Sequence, residues 1–210
     1  TLAAALTASA LATAAAAPPE QRRWIPLEHH VFGVHFQAIS TVPRRDFSLV
    51  VEFRTTESCG YVWHWNNGCG LLDADVSPGG FDFGITMGSG RVMFGVEGET
   101  WSKTLSSSST YNDGEWHTIV ATRVLETGAM TLEVDGSAVA TGTGPTETLT
   151  SPEQMSLCRI NSGANYWTGE MRNMIDYRAA ITTIAALAAT LAAAALTSTA
   201  LTSTAFATAL

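Results

Sequence analysis

The sequence predicts an all-β domain, built as an antiparallel sandwich of two sheets. Apolar and polar residues alternate along several short segments, and Gly, Asn, Asp and Ser separate these segments. No stretch between residues 20 and 178 shows a convincing helical period. An alternation of period two places every second side chain on one face of a strand. Short strands with turn residues at this spacing are typical of β-sandwiches.

The alternation defines the predicted strands in order. Two segments place four apolar residues each on one face: Phe47, Leu49, Val51 and Phe53 in "DFSLVVEFR", and Phe81, Phe83, Ile85 and Met87 in "GFDFGITMG". The segments "GRVMFGVEG", "EWHTIVATRVLE" and "MTLEVDG" follow the same rule, and "MGSGR" at 87–91 predicts a hairpin turn.

Two Asp-Gly pairs mark the turns of the second half. Glycine accepts a positive φ and aspartate bonds its own backbone, so Asp113-Gly114 is expected to start a strand. Asp135-Gly136 is expected to form the corner of a hairpin between "MTLEV" and "SAVATG". On this register Trp116 is predicted to be the first inward residue of its strand, and His117 is predicted to face away from the core.

Three motifs resemble, in this order, the second half of a laminin G-like domain of the concanavalin A-like lectin/glucanase family. They are "DGEWHTIVATR", "MTLEVDGSAVATG" and "YWTGEMRNMIDYRAAIT", the last supplying Trp167, Gly169, Met171, Met174 and Tyr177. The segments "FSLVVEFRTT" and "GGFDFGITMGSGRVMFGVEG" fit the first half, so the resemblance covers roughly residues 28–182. It implies a jelly roll of two stacked antiparallel sheets, usually extracellular and usually a binding module.

Composition divides the chain into three parts. The 11 Lys and Arg and the 19 Asp and Glu residues all lie between Glu20 and Arg178. We therefore expect one domain over residues 20–178, large enough to bury a core, between apolar flanks at 1–19 and 179–210. The net charge of −8 and the single lysine argue against nucleic acid as a partner.

The flanks point to a membrane or a large assembly. "TLAAALTASALATAAAA" is similar to the end of a signal peptide, and it could instead be part of a membrane helix. Residues 179–210 exceed the roughly 20 residues that a membrane span requires. Their first part also resembles the short helix that often follows the last strand of the family. Thr-rich repeats can form O-glycosylated stalks, but this one lacks the usual prolines.

Cysteine spacing leaves two interpretations. Cys59 and Cys69 bracket "CGYVWHWNNGC", which two strands and a turn could close into a disulfide, with Cys158 left over. The alternative is three unpaired thiols that pack as small hydrophobic side chains.

The richest polar and aromatic cluster comprises Trp63, His64, Trp65 and Asn66, with Asn67 beside them. On a strand, Trp63 and Trp65 would face one way and His64 and Asn66 the other. Sugar rings stack on exposed aromatic side chains, so this cluster is a candidate glycan site. The competing interpretation, which we favour at this point, is that both tryptophans fill the core and His64 is exposed.

Metal sites are weaker candidates. "DADVSPGG" offers Asp73 and Asp75 on a loop, and oxygen ligands of this kind suit calcium, but the spacing is not that of a dedicated calcium loop and an ordinary acidic turn is the favoured interpretation. His29, His30 and His35 lack a further ligand at a recognisable spacing and are expected to be surface or strand residues.

Catalysis is not expected. Retaining glycosidases need two carboxyl groups about 5 Å apart, and the glucanases of the family carry Glu-x-Asp-x-x-Glu on one strand. Glu133-Val134-Asp135 begins this pattern, but no acidic residue completes it.

Three functions remain open. The first is a non-catalytic module that binds a glycan or a protein surface on the extracytoplasmic side, anchored by its flanks. The second is an accessory structural subunit of a large membrane complex, and the third is a glycoside hydrolase. Arg22-Arg23 after the first apolar segment would favour the opposite topology under the positive-inside tendency.

Overall fold

A computed structural model describes residues 22–25, 45–75, 80–150, 155–160 and 165–177. Within these ranges the chain forms strands and one short 3-10 turn at Trp65–Asn67. The strands are β1 (Arg22–Ile25), β2 (Phe47–Arg54), β3 (Cys69–Asp73), β4 (Phe83–Gly88), β5 (Arg91–Glu97), β6 (Ser102–Ser106), β7 (His117–Arg123), β8 (Ala129–Val134), β9 (Ser137–Thr143), β10 (Ser156–Leu157) and β11 (Glu170–Tyr177).

The strands form two sheets, in which all neighbouring strands are antiparallel. The six-stranded sheet has the order β1-β11-β2-β7-β8-β9, and the five-stranded sheet has the order β10-β3-β4-β5-β6. The prediction of an antiparallel two-sheet jelly-roll sandwich is confirmed. Both apolar flanks and the three histidines at 29, 30 and 35 lie outside the described residues. In the part of the chain that is described, no helix is long and apolar enough to cross a membrane.

The core lies between the sheets and contains the residues that the alternation selected. Phe47, Leu49, Val51 and Phe53 of β2 and Phe83, Ile85 and Met87 of β4 are at most 1% exposed. The rings of Phe47 and Phe83 meet across the two layers, with their centroids 4.7 Å apart. Aromatic pairs at this separation add stability beyond the area they bury.

A β-bulge explains the spacing of the closing motif. Met171 and Met174 are both buried although they are three residues apart, which simple alternation forbids. The register between β11 and β2 shifts between Arg172 and Ile175, so one extra residue is accommodated and both methionines face the core.

Two hairpins follow their predicted turns. Ser89 and Gly90 join β4 to β5, and Asp135 and Gly136 join β8 to β9. All four residues have φ between 52° and 77°. Positive φ at both central residues is the geometry of a two-residue turn whose twist matches that of the strands. The sequence therefore predicted both hairpins correctly.

Candidate ligand-binding surface

A loop between β2 and β3 crosses the outer face of the five-stranded sheet. A disulfide joins Cys59 within this loop to Cys69, the first residue of β3, with their Cα atoms 5.7 Å apart. The side chain of Val62 lies over Gly88 of β4, where an added Cβ atom would overlap it. The loop is therefore closed by a covalent bond and packed closely on the sheet.

Trp65 anchors this loop. Its side chain is fully buried, but it is not part of the core between the sheets. The indole lies on Gly84 and Gly95, where an added Cβ atom would come within 2.6 Å of the ring. Thr86 Oγ1 donates a hydrogen bond to the Trp65 carbonyl oxygen at 2.9 Å, and the backbone N–H of Trp65 donates to Thr104 Oγ1 at 3.4 Å. Trp65 is thus a scaffold residue that a ligand cannot reach.

Trp63, two residues earlier, is 76% exposed. Its ring packs edge-on against His64, with the centroids 5.6 Å apart. His64 Nδ1 lies 2.7 Å from Asn66 Oδ1, and His64 Nε2 lies 2.7 Å from Ser102 Oγ. Because an amide oxygen can only accept, Nδ1 donates to Asn66, and Nε2 shares a hydrogen bond with the Ser102 hydroxyl, which can donate or accept. Both ring nitrogens have partners within the protein, so the His64 ring is fixed in place and provides a rigid contact for the Trp63 ring.

Trp101 is a second exposed indole, next in sequence to a residue that contacts His64. It is 47% exposed and directly precedes Ser102, the residue that bonds His64. Sequence reasoning did not select Trp101 or Ser102. The His64–Ser102 contact joins residues 38 positions apart. Only the turn residues before Trp101 hinted that it lies at a strand end.

The expected strand through Trp63 and Trp65 is wrong. The chain forms a 3-10 turn at Trp65–Asn67, in which the Asn67 N–H donates to the His64 carbonyl oxygen at 3.1 Å. Trp63 and Trp65 therefore do not share a face. The interpretation that both tryptophans fill the core also fails, since Trp63 is exposed, Trp65 is buried outside the core and His64 is partly buried.

The two acidic residues proposed for calcium lie at the end of β3. Asp73 is buried, and its Oδ1 accepts the Asp75 N–H at 2.8 Å. Burial raises the pKa of Asp75, and a hydrogen bond with Asp82 opposes this. No group of three His, Cys, Asp or Glu side chains among the described residues could hold a metal, and residues 76–79 of the loop lie outside them. Calcium at Asp73 and Asp75 stays a prediction.

His117 links the two Asp-Gly turns. Its Nδ1 lies 2.7 Å from Asp135 Oδ2, and its Nε2 lies 3.0 Å from Asp113 Oδ1. Asp135 Oδ1 also accepts the Thr118 N–H at 2.9 Å, and the Tyr111 ring packs edge-on against the imidazole. The hydrogen bond to Asp135 is the main reason why the pKa of His117 is raised. We call these three side chains, Asp113, His117 and Asp135, the turn clamp.

The predicted faces of Trp116 and His117 are exchanged in the structure. His117 pairs with the inward residue Phe53 and is only 12% exposed at its side chain. Trp116 is partly buried on the outer face of the six-stranded sheet. The guanidinium carbons of Arg172 and Arg54 lie 3.9 Å and 5.1 Å from its ring centroid. The expectation of a core tryptophan here is wrong, because cationic side chains cover the indole instead.

Each of these arginines is also paired with a carboxylate on the neighbouring strand. Arg54 Nε donates to Glu170 Oε1 at 2.8 Å, and Arg172 Nε donates to Glu52 Oε2 at 2.6 Å. The partners face each other directly across β2 and β11. Charge-assisted bonds of this type fix both guanidinium groups in place.

The carboxylates of Glu133 and Asp135 have separate surroundings. Burial raises the pKa of Glu133, whose Oε2 has no hydrogen-bond partner within the described residues. Asp135 has left the strand and belongs to the turn clamp. The two groups therefore lack the common environment that a glycosidase pair needs.

Three solved structures illustrate the similarity of the fold. The mouse laminin α1 chain, domains LG4-5, is 18% identical with a TM-score of 0.54, and the match covers 73% of this chain and 40% of that one. This chain therefore spans less than half of that laminin fragment. The Ruminococcus gnavus IT-sialidase CBM40 bound to α2,3-sialyllactose is 15% identical with a TM-score of 0.59, covering 80% and 96% of the two chains.

A third similar structure is the SAP-like pentraxin of Limulus polyphemus, at 16% identity and a TM-score of 0.52, with 69% of this chain and 70% of that one covered. At these identities the likeness concerns the fold alone. No curated protein matches the sequence. The profile of the concanavalin A-like lectin/glucanases superfamily matches residues 33–183. Because this match spans most of the chain, the protein belongs to that superfamily.

Proposed function

We propose that the domain is a non-catalytic carbohydrate-binding module whose binding surface is centred on Trp63. The observation that supports this most strongly is the 76% exposure of Trp63 on a loop held by a disulfide and by Trp65. Trp101 provides a second exposed indole next to Ser102. Aromatic side chains fixed before binding lose little conformational entropy when a ligand stacks on them.

The polar groups at this surface suit hydroxyl groups. His64 uses both ring nitrogens within the protein, so it positions its neighbours and is not itself a ligand donor. The amide nitrogen of Asn66 remains a donor, because only its oxygen bonds His64. A sugar can place the C–H face of its ring on an indole and direct hydroxyl groups to such donors.

The charge near this surface favours a neutral glycan. Trp63, Asn66 and Trp101 carry no charge, and Glu97 and Glu99 lie in the same stretch as Trp101. Carboxylates disfavour an anionic ligand nearby. The Ruminococcus gnavus CBM40 structure contains sialyllactose and so supports carbohydrate as the ligand class. For this chain we expect uncharged sugars.

We also place the domain on the extracytoplasmic side, attached through its flanks. The Cys59–Cys69 disulfide indicates an oxidising compartment. The uncharged segment 179–210 is long enough to anchor the chain to a membrane or to a neighbouring subunit. Deletion of residues 179–210 should release the domain from membranes, and its retention there would contradict this attachment.

A glycan array tests the proposed function, with the full chain applied in the presence and absence of calcium. We expect binding to neutral glycans, weakened about tenfold or more by Trp63→Ala, which corresponds to about 1.4 kcal/mol. Tyr166→Ala is the matched control, because Tyr166 is also exposed (57%) but lies on another loop. A blank array would leave protein partners, and equal binding by Trp63→Ala would exclude this surface as the glycan site.

A further inference from the structure

A separate concave site lies at one rim of the sandwich, where β2 ends and β11 begins. Its volume is about 230 Å³. This is below the roughly 300–1,000 Å³ of pockets for drug-sized ligands, so the cleft has room for a single ring-sized group. The lining residues that matter here are Arg54, Thr56, Gly114, Thr168, Gly169 and Glu170.

One wall of this rim cleft is a fixed ion pair. Arg54 Nε and Nη2 both donate to Glu170 Oε1, at 2.8 Å and 2.6 Å. The Trp116 ring supports the same guanidinium group at 5.1 Å. The two side chains are still 42% and 23% exposed, so further N–H groups of Arg54 and the second oxygen of Glu170 are open to a ligand. A donor and an acceptor therefore stand side by side and already oriented.

Small and hydroxylated residues form the rest of the cleft. Thr56 and Thr168 are exposed on its sides. Gly114 has φ +84°, and at Gly169 an added Cβ atom would overlap the Trp167 ring. Neither glycine position accepts a side chain easily, so the space between the two threonines stays open.

The electrostatic setting excludes anions as the preferred ligand. The charges of Arg54 and Glu170 cancel. Asp113 and Glu115 flank Gly114 of the cleft, and the Glu57 N–H bonds the side chain of Thr55 in its wall. A carboxylate or sulfate brought here would approach several negative charges and would compete with Glu170 for the arginine.

We propose that the rim cleft is a second binding site, which takes a neutral sugar ring through two adjacent hydroxyl groups. One hydroxyl accepts from Arg54 and the other donates to Glu170, since each hydroxyl can do both. The inference rests on carbohydrate as the ligand class, but it uses none of the residues around Trp63. Two sites on one domain would let a branched or repeated glycan bind with increased avidity.

NMR titration of the full chain tests this assignment, with methyl β-galactoside, methyl α-mannoside and N-acetylneuraminate as probes. We expect at least one of the neutral glycosides to shift the amide signals of Gly114 and Gly169 in a saturable manner. N-acetylneuraminate should leave these signals unchanged. The absence of a shift with both neutral glycosides, or stronger binding of the acidic sugar, would overturn the proposal.

Two variants make the test specific. Thr168→Val keeps the shape of the side chain and should weaken neutral binding about two- to tenfold, as expected for one hydrogen bond. Glu170→Gln removes the negative charge beside Arg54, so it should weaken the neutral glycosides and allow N-acetylneuraminate to bind. Thr141→Val on the exposed strand β9 is the matched control and should change nothing.

The variant Trp63→Ala separates the two sites. It should leave the shifts of Gly114 and Gly169 intact even where it abolishes binding on the glycan array. Loss of these shifts in Trp63→Ala would mean that the rim cleft does not bind by itself, and the second site would be refuted while the Trp63 surface stands. Saturable shifts of Gly114 and Gly169 together with a blank array would refute the Trp63 surface as a glycan site and leave the rim cleft in place.

Discussion

The chain contains two Trp-His pairs, and the fold uses them in opposite ways. Trp63 stands 76% exposed beside His64, whereas Trp116 beside His117 is partly buried under two arginine side chains. The dipeptide is the same in both places, and the residues that cover or expose it come from distant strands. The comparison teaches that an aromatic residue acquires its role from its tertiary neighbours.

The histidines of the two pairs differ in the charge of their partners. His64 bonds the neutral groups of Asn66 and Ser102, while His117 bonds two carboxylates. The first arrangement fixes a surface loop, and the second joins two turns. The hydrogen bond to Asp135 raises the pKa of His117 and favours its protonated form, so this pair should make stability depend on pH near neutrality.

The largest effect is expected at Trp65, which keeps the first pair in place. Trp65→Ala removes a fully buried indole from its seat on Gly84 and Gly95, and the free energy of unfolding should fall by about 3–5 kcal/mol. Urea denaturation measures this change. A loss below about 1 kcal/mol would show that the indole does not anchor the loop.

The turn clamp should give the next largest effect. His117→Gln loses the charge-assisted bonds to Asp113 and Asp135, and we expect a loss of about 1–3 kcal/mol near pH 6. Because the folded pKa of His117 is raised, its contribution is complete below the ordinary value of about 6.5 and disappears as the pH rises through the folded pKa. Unfolding measured from pH 5 to pH 9 should show this decline.

The stability that Asp113 contributes to the turn clamp depends on pH in the opposite direction. The Glu115 N–H is the main reason why the pKa of Asp113 is lowered, with His117 next. The contribution of Asp113 is therefore present above its ordinary pKa of about 3.9 and is lost as the pH falls through the folded value. If His117→Gln kept the alkaline decline of the wild type, the clamp would not be its source.

A smaller loss of stability is expected at Trp116. Trp116→Ala should cost about 1–2 kcal/mol, since the ring is only partly buried and each cation–π contact at such a site adds about 0.5–1 kcal/mol. Trp101→Ala, without these arginine contacts, should stay within about 0.5 kcal/mol of the wild type in the same denaturation experiment. Equal losses in the two variants would remove the distinction between a covered and an exposed indole.

Much of the fold could be predicted because its signals are local. Alternation selected the inner residues of β2 and β4, and the Asp135-Gly136 pair marked the β8–β9 turn. The face of β7 could not be predicted, because both of its faces carry apolar residues. Arg123 makes the inward face harder to recognise, because a charged residue is normally expected to face solvent. Here its fully buried side chain donates to the carbonyl oxygens of Arg45 and Pro145.

The candidate sites could be predicted only in part, because their geometry depends on contacts between distant residues. The cluster at 63–66 was selected for its composition, but its turn and the split between Trp63 and Trp65 depend on glycines in β4 and β5. The rim cleft was not predicted. Its ion pair joins Arg54 to Glu170 across 116 positions, and no local pattern reports such a pair.

The six tryptophans provide the most direct test of the central claim, that the exposed Trp63 surface binds carbohydrate. Each indole N–H gives one NMR signal, which can be followed while a neutral oligosaccharide selected on the array is added near its Kd. We predict that the signals of Trp63 and Trp101 move together and saturate, while those of the buried Trp65 and Trp167 stay in place. Unchanged signals at Trp63 and Trp101, with binding still detected, would contradict it.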